Sequence, residues 1–240
     1  MKPNPLVNLP DDASNHTCVI VLSGGQDSVT CLGLALQHFK TVVAVSFSYG
    51  QKHSVELNSA ASICEAHNVE HHIIETNALI QIGDSALLCN SEQDVGEGHT
   101  NKEGLPASFV PNRNAFFLTM AHAFAQKIGA AYLMTGVCQT DYSGYPDCRD
   151  VFIRKLEDAL NLGSNSTIAI LTPLMWLDKA QTFKMAEDYD FLDIVLNETH
   201  TCYNGKHGPD YYNEWGYGCG ECPACELRAK GWQEFLDNGA

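Results

Sequence analysis

Basic residues are scarce in this sequence: 14 lysines and arginines stand against 29 aspartates and glutamates, and the formal net charge is −15 at pH 7. Proteins that bind nucleic acids by neutralising phosphates need clusters of lysine and arginine. The sequence has neither the total nor a run of such residues. The composition therefore argues against a nucleic-acid partner and favours a small-molecule substrate.

Long apolar runs are missing as well. No stretch approaches the roughly 18 consecutive apolar residues of a membrane-spanning helix. The first 17 residues, MKPNPLVNLPDDASNHT, lack the apolar core of a secretory signal. We therefore expect no membrane partner and a cytoplasmic location, where the 10 cysteines need not form disulfides.

Short apolar segments alternate with segments of helical period along most of the chain. The predicted strands are 17–22, 41–49, 71–76, 131–137 and 167–174. The predicted helices are 28–39 (with Ser28 near its N-cap), 55–68, 113–129, 151–162 and 178–189. This alternation is typical of βαβ units on a parallel sheet. Because ligands bind at the carboxyl ends of such strands, we expect the loops 23–28, 49–53, 109–114 and 138–149 to share one face.

The segment Ser23-Gly24-Gly25-Gln26-Asp27-Ser28 ends the first strand and opens a helix. Glycines let backbone N–H groups turn inward, and a helix N-terminus adds free N–H groups and a positive dipole end. The hydroxyls of Ser23 and Ser28 add donors, and Asp27 suggests Mg²⁺ between carboxylate and phosphate. The segment has neither the Walker A ending nor a Gly-x-Gly-x-x-Gly pattern. It predicts a phosphate site of another kind.

Four cysteines cluster in the last 40 residues: Cys202, Cys219, Cys222 and Cys225. Tetrahedral Zn²⁺ takes four thiolates, and Cys-x2-Cys turns place two sulfurs on one ion. A set of four protein ligands indicates a structural zinc site that is closed to substrate. The spacing leaves an iron–sulfur cluster open as the chemical alternative.

The segment 23–28 resembles the pyrophosphate loop, SGGxDS, of the ATP pyrophosphatase (PP-loop) family. Other stretches resemble the 7-cyano-7-deazaguanine synthase family of queuosine biosynthesis, and together they cover residues 18–235. They are YGQKH (49–53), FVPNRN (109–114), TGVCQTDYSGYPDCRD (135–150), TPLMWLDKAQT (172–182), THTCYNG (199–205) and CGECPAC (219–225). The resemblance implies a Rossmann-like, adenine nucleotide alpha hydrolase-like α/β domain with a parallel sheet and a C-terminal zinc knuckle. It divides the chain into a flexible extension (1–16), an ATP-binding domain (17–195) and a zinc-binding segment packed on it (196–240).

The resemblance also implies the activity. Members of the family convert 7-carboxy-7-deazaguanine and ammonia into 7-cyano-7-deazaguanine (preQ0) and consume ATP twice. The carboxylate is adenylated and ammonia displaces AMP to give the amide, which is adenylated in turn and loses AMP to leave the nitrile. The implied protein is a carbon–nitrogen ligase with ATP as cosubstrate, Mg²⁺, structural Zn²⁺ and, as relatives suggest, a homodimeric state.

The resemblance assigns a role to particular residues of this chain. ATP binding falls to Leu22, Ser23, Gly24, Gly25, Gln26, Asp27, Ser28, Val29, Thr30, Cys31 and Leu32, with Asp27 and Ser28 also catalytic. Arg113 is a candidate for the substrate carboxylate or the α-phosphate, because its planar fork suits oxyanions. Lys179 is a candidate for neutralising phosphate charge. Asp141 or Asp147 is expected to accept hydrogen bonds from the deazaguanine, with Arg149 at its carboxyl group, Tyr142 and Tyr145 stacking on the base, and His53 nearby.

The sequence departs from the family pattern at two places. Asn112 stands where the family usually has glycine, and asparagine tolerates the left-handed backbone best among residues with a side chain. We therefore expect the turn before residue 113 to survive. Residues 206–218 lengthen the gap between Cys202 and Cys219, which casts doubt on the local structure but not on metal binding, because loop closure costs grow slowly with length.

Other functions stay open at this point. tRNA thiolation and lysidine formation use the same adenylation chemistry, but they need a basic RNA-binding face. Amidation of the NAD or GMP synthetase kind is closer, as another PP-loop adenylating amidase. A non-catalytic nucleotide-binding zinc protein, or a zinc module without nucleotide, is the alternative from a different class.

Overall fold

The computed structural model describes residues 9–52, 55–82, 85–89, 106, 108–140 and 145–238. Its strands are β1 Thr17–Val21, β2 Thr41–Ser48, β3 Glu70–Glu75, β4 Tyr132–Met134, β5 Ala169–Leu171, β6 Tyr212–Asn213 and β7 Gly216–Tyr217. Its α-helices are α1 Gln26–His38, α2 Val55–Ala66, α3 Ala78–Ile82, α4 Arg113–Ile128, α5 Asp150–Ser164, α6 Lys179–Asp188, α7 Leu192–Glu198 and α8 Pro223–Asp237. Short 3-10 turns occupy Ala13–Asn15, Pro146–Cys148 and Pro209–Tyr211. No helix among the described residues is both long and apolar enough to cross a bilayer.

Five parallel strands form the central sheet in the order β3-β2-β1-β4-β5. β1 pairs with β2 from Thr17 opposite Thr41, and with β4 from Cys18 opposite Tyr132. The chain runs outward from β1 to β3 and then returns to β4 on the other side of β1. Loops at the carboxyl ends of β1 and β4 therefore diverge, and this opening is where open α/β sheets bind ligands. The predicted α/β fold with a parallel sheet is confirmed.

The core lies on both faces of this sheet. Cys18 and Ile20 of β1 pack with one cluster, which includes buried residues of α1, α6 and α8, while Val19 packs with α4 and α5 on the other face. All three side chains are fully buried. Burial on both faces explains the nearly continuous apolar run of β1, and each such aliphatic side chain contributes about 1.5–3 kcal/mol through burial.

Three predicted boundaries at the carboxyl edge of the sheet were wrong, and one of them is the end of β5, which lies at Leu171 instead of 174. α1 begins at Gln26 with Gly25 as its N-cap, so Ser28 is inside the first turn instead of at the cap. The Ser28 hydroxyl donates to the Gly25 carbonyl oxygen (3.1 Å) and therefore closes the turn from within. β4 ends at Met134, three residues before the predicted end, because the chain around Gly136 passes against the backbone of Asp27.

Asn112 adopts the left-handed conformation (φ 58°, ψ 20°) directly before α4, so the expected turn survives without glycine. Its side chain makes no capping hydrogen bond. We expect Asn112→Ala to lower the free energy of unfolding by about 1 kcal/mol, because a Cβ without a local polar group is strained at this φ. Urea unfolding followed by circular dichroism measures this. Asn112→Gly is the matched control and should stay within about 0.5 kcal/mol of wild type; equal losses in both variants would contradict the conformational explanation.

Candidate active site

The loops at the carboxyl ends of the strands surround a cavity of about 320 Å³. Its walls include the segment after β1, residues 49, 51 and 52 after β2, Arg113 and Asn114, residues 135–138 after β4, and Tyr145 and Cys148. This confirms that the four predicted loops share one face, as far as they are described. Lys179 and residues 200–203 complete the wall. The cavity is thus built by the sheet and closed by the C-terminal part of the chain.

The loop between β1 and α1 is held in a fixed shape by its own side chains. The Ser28 hydroxyl accepts from the Ser23 N–H (3.2 Å), and the Ser23 hydroxyl accepts from the Gly25 N–H (3.3 Å). Gly24 has φ 87°, and a Cβ at this position would collide with the carbonyl oxygen of Glu56. Only glycine fits there, for both conformational and steric reasons. The loop is therefore preformed, with the N-terminus of α1 directed at the cavity.

The predicted ATP-binding segment divides into two parts in the structure. Leu22, Ser23, Gly25, Gln26, Asp27 and Ser28 line the cavity. Val29, Thr30, Cys31 and Leu32 are fully buried in α1 behind the loop, where they pack in the core. Burial places this second group in a supporting position, away from the cavity surface.

Asp27 and Lys179 form an ion pair at the mouth of the phosphate loop. The Lys179 Nζ lies 2.8 Å from Asp27 Oδ1 and 2.6 Å from Oδ2. The side chain of Lys179 is 9% exposed and that of Asp27 is 28% exposed. α8 packs tightly here, since a Cβ on Gly231 would collide with Lys179. The structure thus brings together two predicted residues that carry opposite charge at the expected phosphate position.

Arg113 lies among tyrosines, and the Asp147 carboxylate also favours its charged form. Its Cζ lies 5.9 Å from the centroid of the Tyr145 ring, and its guanidinium interacts electrostatically with Tyr49. Burial opposes the charged form, but Tyr49, Tyr145 and Tyr203 outweigh this effect and raise the pKa of Arg113. Among the described residues, no carboxylate lies within 4 Å of the guanidinium. The arrangement leaves a permanent positive charge at the cavity wall that can bind an anion.

The other residues predicted for substrate binding have different positions. Asp147 is buried, and its Oδ2 accepts from the Asn114 N–H (2.9 Å), so this carboxylate stabilises the start of α4. Arg149 is exposed at the N-cap of α5 and is not part of the cavity wall. Its predicted role has no geometric support, because the start of α5 carries its side chain to solvent. Asp141, Tyr142 and His53 lie outside the described residues.

The four clustered cysteines converge in the structure. The sulfurs of Cys202, Cys219, Cys222 and Cys225 all lie within 4.8 Å of one another, and those of Cys219 and Cys225 are 3.9 Å apart. Thiolates bound at about 2.3 Å to one tetrahedral ion lie roughly 3.8 Å apart, so the donor set fits a single metal ion. Hydrogen bonds from the Cys222 and Cys225 thiols lower the pKa of Cys202.

Backbone and side-chain N–H groups support the metal site. The Glu221 and Cys222 N–H groups donate to the Cys219 sulfur at 3.4 and 3.3 Å, and the Asn204 side chain approaches it at 3.6 Å. Such donors stabilise thiolate charge around a metal. The long segment before Cys219 folds as the hairpin β6–β7, so the additional length forms local structure and leaves the four sulfurs together.

Arg228 connects the cysteine cluster to the loop between β1 and α1, and sequence analysis missed it. Its fully buried guanidinium donates to the carbonyl oxygens of Trp215 and Val195 (both 2.7 Å) and to the Thr201 hydroxyl (3.0 Å). Burial lowers the pKa of Arg228 to about 10. Thr201 in turn accepts from the Gln26 N–H at 3.4 Å. In the sequence, the one feature that could have pointed to Arg228 is its position three residues after Cys225, which places both residues on the same side of α8.

Glu56 and His200 were also missed. The backbone N–H of His200 donates to the Gly24 carbonyl oxygen (3.0 Å), which fixes the loop from the side of the metal site. Glu56 lines the cavity, and burial raises the pKa of its carboxyl group to about 7. Its position three residues after the YGQKH stretch was the available signal.

Comparison with known proteins agrees with this geometry. The family model described as "Queuosine biosynthesis protein QueC" matches residues 17–236. The 7-cyano-7-deazaguanine synthase of Wolinella succinogenes is 51% identical over 226 residues, which cover 94% of this chain and 96% of that protein. The protein of the same name from Helicobacter pylori strain Shi470 is 53% identical over 221 residues, covering 92% and 97%.

A solved structure supports the fold. The NMN synthetase of Francisella tularensis has a TM-score of 0.50 and 19% identity to this chain, and the match covers 96% of this chain and 82% of that one. This likeness concerns the fold alone. On the family model and the relatives together, the chain belongs to the queuosine biosynthesis protein QueC family, as the sequence resemblance predicted.

Proposed function

We propose that this protein is an ATP-dependent ligase that converts 7-carboxy-7-deazaguanine and ammonia into 7-cyano-7-deazaguanine. The observation that carries the proposal is the pairing, in one cavity, of a preformed phosphate loop with an arginine that has no carboxylate within ion-pair distance among the described residues. About half of the residues are identical to those of curated proteins named for this product. A phosphate site and a carboxylate site side by side are what carboxylate adenylation requires.

The phosphates of ATP are proposed to bind at residues 23–28. The first turn of α1 lines the cavity, and the positive end of a helix dipole suits an anion. The amide group of Gln26 is buried, and within the described part of the chain it has no hydrogen-bond partner. A buried polar group of this kind is normally satisfied, and a bound phosphate would supply the acceptor. Lys179 is positioned to neutralise charge as pyrophosphate departs.

The substrate carboxylate is proposed to bind Arg113. A guanidinium can hold a carboxylate through two parallel hydrogen bonds and so aim one oxygen at the α-phosphorus. Adenylation is needed because a carboxylate oxygen is a poor leaving group, whereas AMP leaves readily. Tyr145, which lies over the guanidinium, offers an aromatic face for the planar base. The roles of Asp141 and Arg149 stay predictions.

Two metal ions complete the proposal. Zn²⁺ is proposed at the four cysteines, where it would hold the C-terminal segment together; sulfurs this close suit one ion better than a multi-iron cluster. Mg²⁺ would screen phosphate charge, with Asp27 as its protein oxygen ligand. The residues present fit both ions.

The remaining expectations follow from the family. We propose a homodimer in the cytoplasm, where ATP is abundant and thiols stay reduced. Light scattering of the purified protein measures the oligomeric state. The division at residues 17 and 196 into ATP-binding and zinc-binding parts stays a prediction.

The test is a mass-spectrometric assay with ATP, Mg²⁺, an ammonium salt and 7-carboxy-7-deazaguanine. We expect the nitrile with two AMP released for each molecule formed, and no AMP without the deazaguanine. Release of AMP without the nitrile would support adenylation but refute 7-cyano-7-deazaguanine as the product. The protein would then be another adenylating amidase. No AMP from folded, zinc-loaded protein would refute the enzyme and favour a nucleotide-binding protein without turnover.

A further inference from the structure

Glu56 is the second carboxylate of the cavity and has no role in the function proposed above. Among the described residues, the acids that line the cavity are Asp27 and Glu56. Asp27 is bound by Lys179 through both oxygens, whereas Glu56 forms no ion pair within the described part of the chain. The carbonyl oxygen of Glu56 contacts the Gly24 position, so this residue lies directly beside the phosphate loop. A carboxylate that could accept a proton therefore belongs to the wall of the same cavity as the phosphate loop.

The surroundings of Glu56 bring the pKa of its carboxyl group close to neutral pH. Burial is the main influence and raises its pKa to about 7, Arg113 on α4 lowers it, and Cys202 raises it. Tyr49 after β2 and Tyr203 after Cys202 are the other titratable groups that interact with it. A proton acceptor works best when its pKa lies near the working pH. At neutral pH, Glu56 can therefore both take up and release a proton.

Formation of a nitrile from ammonia requires three protons to leave nitrogen, one in the amide-forming step and two in the nitrile-forming step. When ammonia attacks the adenylated carbonyl carbon, the new C–N bond leaves a positive charge on nitrogen, and a proton must depart as the C–O bond to AMP breaks. When the amide oxygen has been adenylated, the nitrogen must lose both protons as AMP leaves with the C–O electron pair. The nitrogen lone pair then becomes the third C–N bond. Water is a weak acceptor for these protons, so a side chain beside the reacting carbon has a defined task.

We propose that Glu56 is the catalytic base that accepts these protons from the substrate nitrogen in the amide-forming and nitrile-forming steps. This inference rests on the proposed function. Adenylation itself transfers no proton from nitrogen in the first half-reaction, since a carboxylate oxygen attacks the α-phosphorus and pyrophosphate leaves. Glu56 is therefore needed after the first adenylation and not for it.

The test separates these stages with Glu56→Gln, which keeps the size of the side chain. Exchange of labelled pyrophosphate into ATP, measured with 7-carboxy-7-deazaguanine and without ammonia, reports adenylation and should stay within about threefold of wild type. Conversion of 7-amido-7-deazaguanine and ATP into the nitrile should fall by about 10²-fold or more, the usual size of a general-base contribution. In wild type this second rate should rise with pH through about 7, because the deprotonated carboxylate is the active form. The variant should lose that rise.

Glu65→Gln is the matched control, because Glu65 lies on the same helix and is exposed; both activities should be unchanged. Loss of exchange and nitrile formation together in folded Glu56→Gln would overturn the proposal and assign Glu56 to the shape of the phosphate loop. Nitrile formation at the wild-type rate would overturn it as well. If Glu56→Gln does not fold, Glu56→Asp replaces it in the test. This variant should form the nitrile more slowly but with the same rise in rate with pH. A Glu56→Asp protein whose rate does not rise with pH counts against the proposal. Wild-type protein without any substrate-dependent exchange would refute the proposed function instead.

Discussion

Asp27→Asn is expected to reduce nitrile formation by at least about 10²–10³-fold, the size typical of removing one preorganised electrostatic group from a reacting centre. Asparagine keeps the shape of the side chain but cannot neutralise Lys179, whose amino group lies 2.6 and 2.8 Å from the two carboxylate oxygens. It also removes the carboxylate expected to bind Mg²⁺ beside the phosphates. Pyrophosphate exchange and nitrile formation should fall together, because both depend on the first adenylation.

The same variant should keep its metal and most of its stability. The pair is only partly buried, so loss of this ion pair costs about 1–3 kcal/mol in the free energy of unfolding. The zinc content should stay at one ion for each chain, because the cysteines lie in a separate cluster. Asp188→Asn is the matched control. It breaks the exposed Lys184–Asp188 ion pair of 3.2 Å on α6, the helix that also carries Lys179. An exposed ion pair of this kind contributes little to the free energy of unfolding.

A double variant distinguishes catalysis from stability. Asp27→Asn combined with Lys179→Met removes both charges of the pair and should recover part of the lost stability, since replacing a buried ion pair by apolar groups costs less than removing one partner. Activity should not recover, because both groups are proposed to act on the phosphates. Recovery of activity in the double variant would show that the pair has a structural role alone.

Cys225→Ser is expected to abolish stoichiometric zinc binding and to unfold the C-terminal segment. Structural Zn²⁺ sites contribute about 10 kcal/mol or more of binding free energy in small domains, which is comparable to the whole stability of a typical protein. Loss of zinc should also reduce activity, because Thr201 and the His200 N–H hold the phosphate loop from this side. Metal analysis, thermal unfolding and limited proteolysis measure the three consequences.

Cys89→Ser provides the matched control, since Cys89 is exposed and lies outside the cluster. It should retain one zinc ion and the wild-type melting temperature. A Cys225→Ser protein that still binds one zinc ion would contradict the four-thiolate site. Iron with visible charge-transfer absorption in the wild-type protein would refute zinc and favour the iron–sulfur alternative.

Local patterns in the sequence determined much of this protein. The strand–helix alternation, the phosphate loop and the cysteine spacing are readable because each depends on residues close together in the chain. The left-handed turn at Asn112 was predictable for the same reason, since it follows from the backbone preference of one residue. The boundary of α1 was missed because the Ser28 hydroxyl bonds inside the turn, a detail that the residue type alone does not specify.

Only the tertiary structure decided which distant residues act together. Asp27 and Lys179 are 152 positions apart, and they meet because α6 packs against α1 and α8 packs against α6. Arg228 reaches the phosphate loop through Thr201, and burial in the assembled cavity is what shifts the pKa of Glu56. Charge pairing and burial depend on the whole surroundings of a side chain. The sequence by itself predicted a phosphate loop and a cluster of four cysteines able to bind a metal, and the fold brought both to the wall of one cavity.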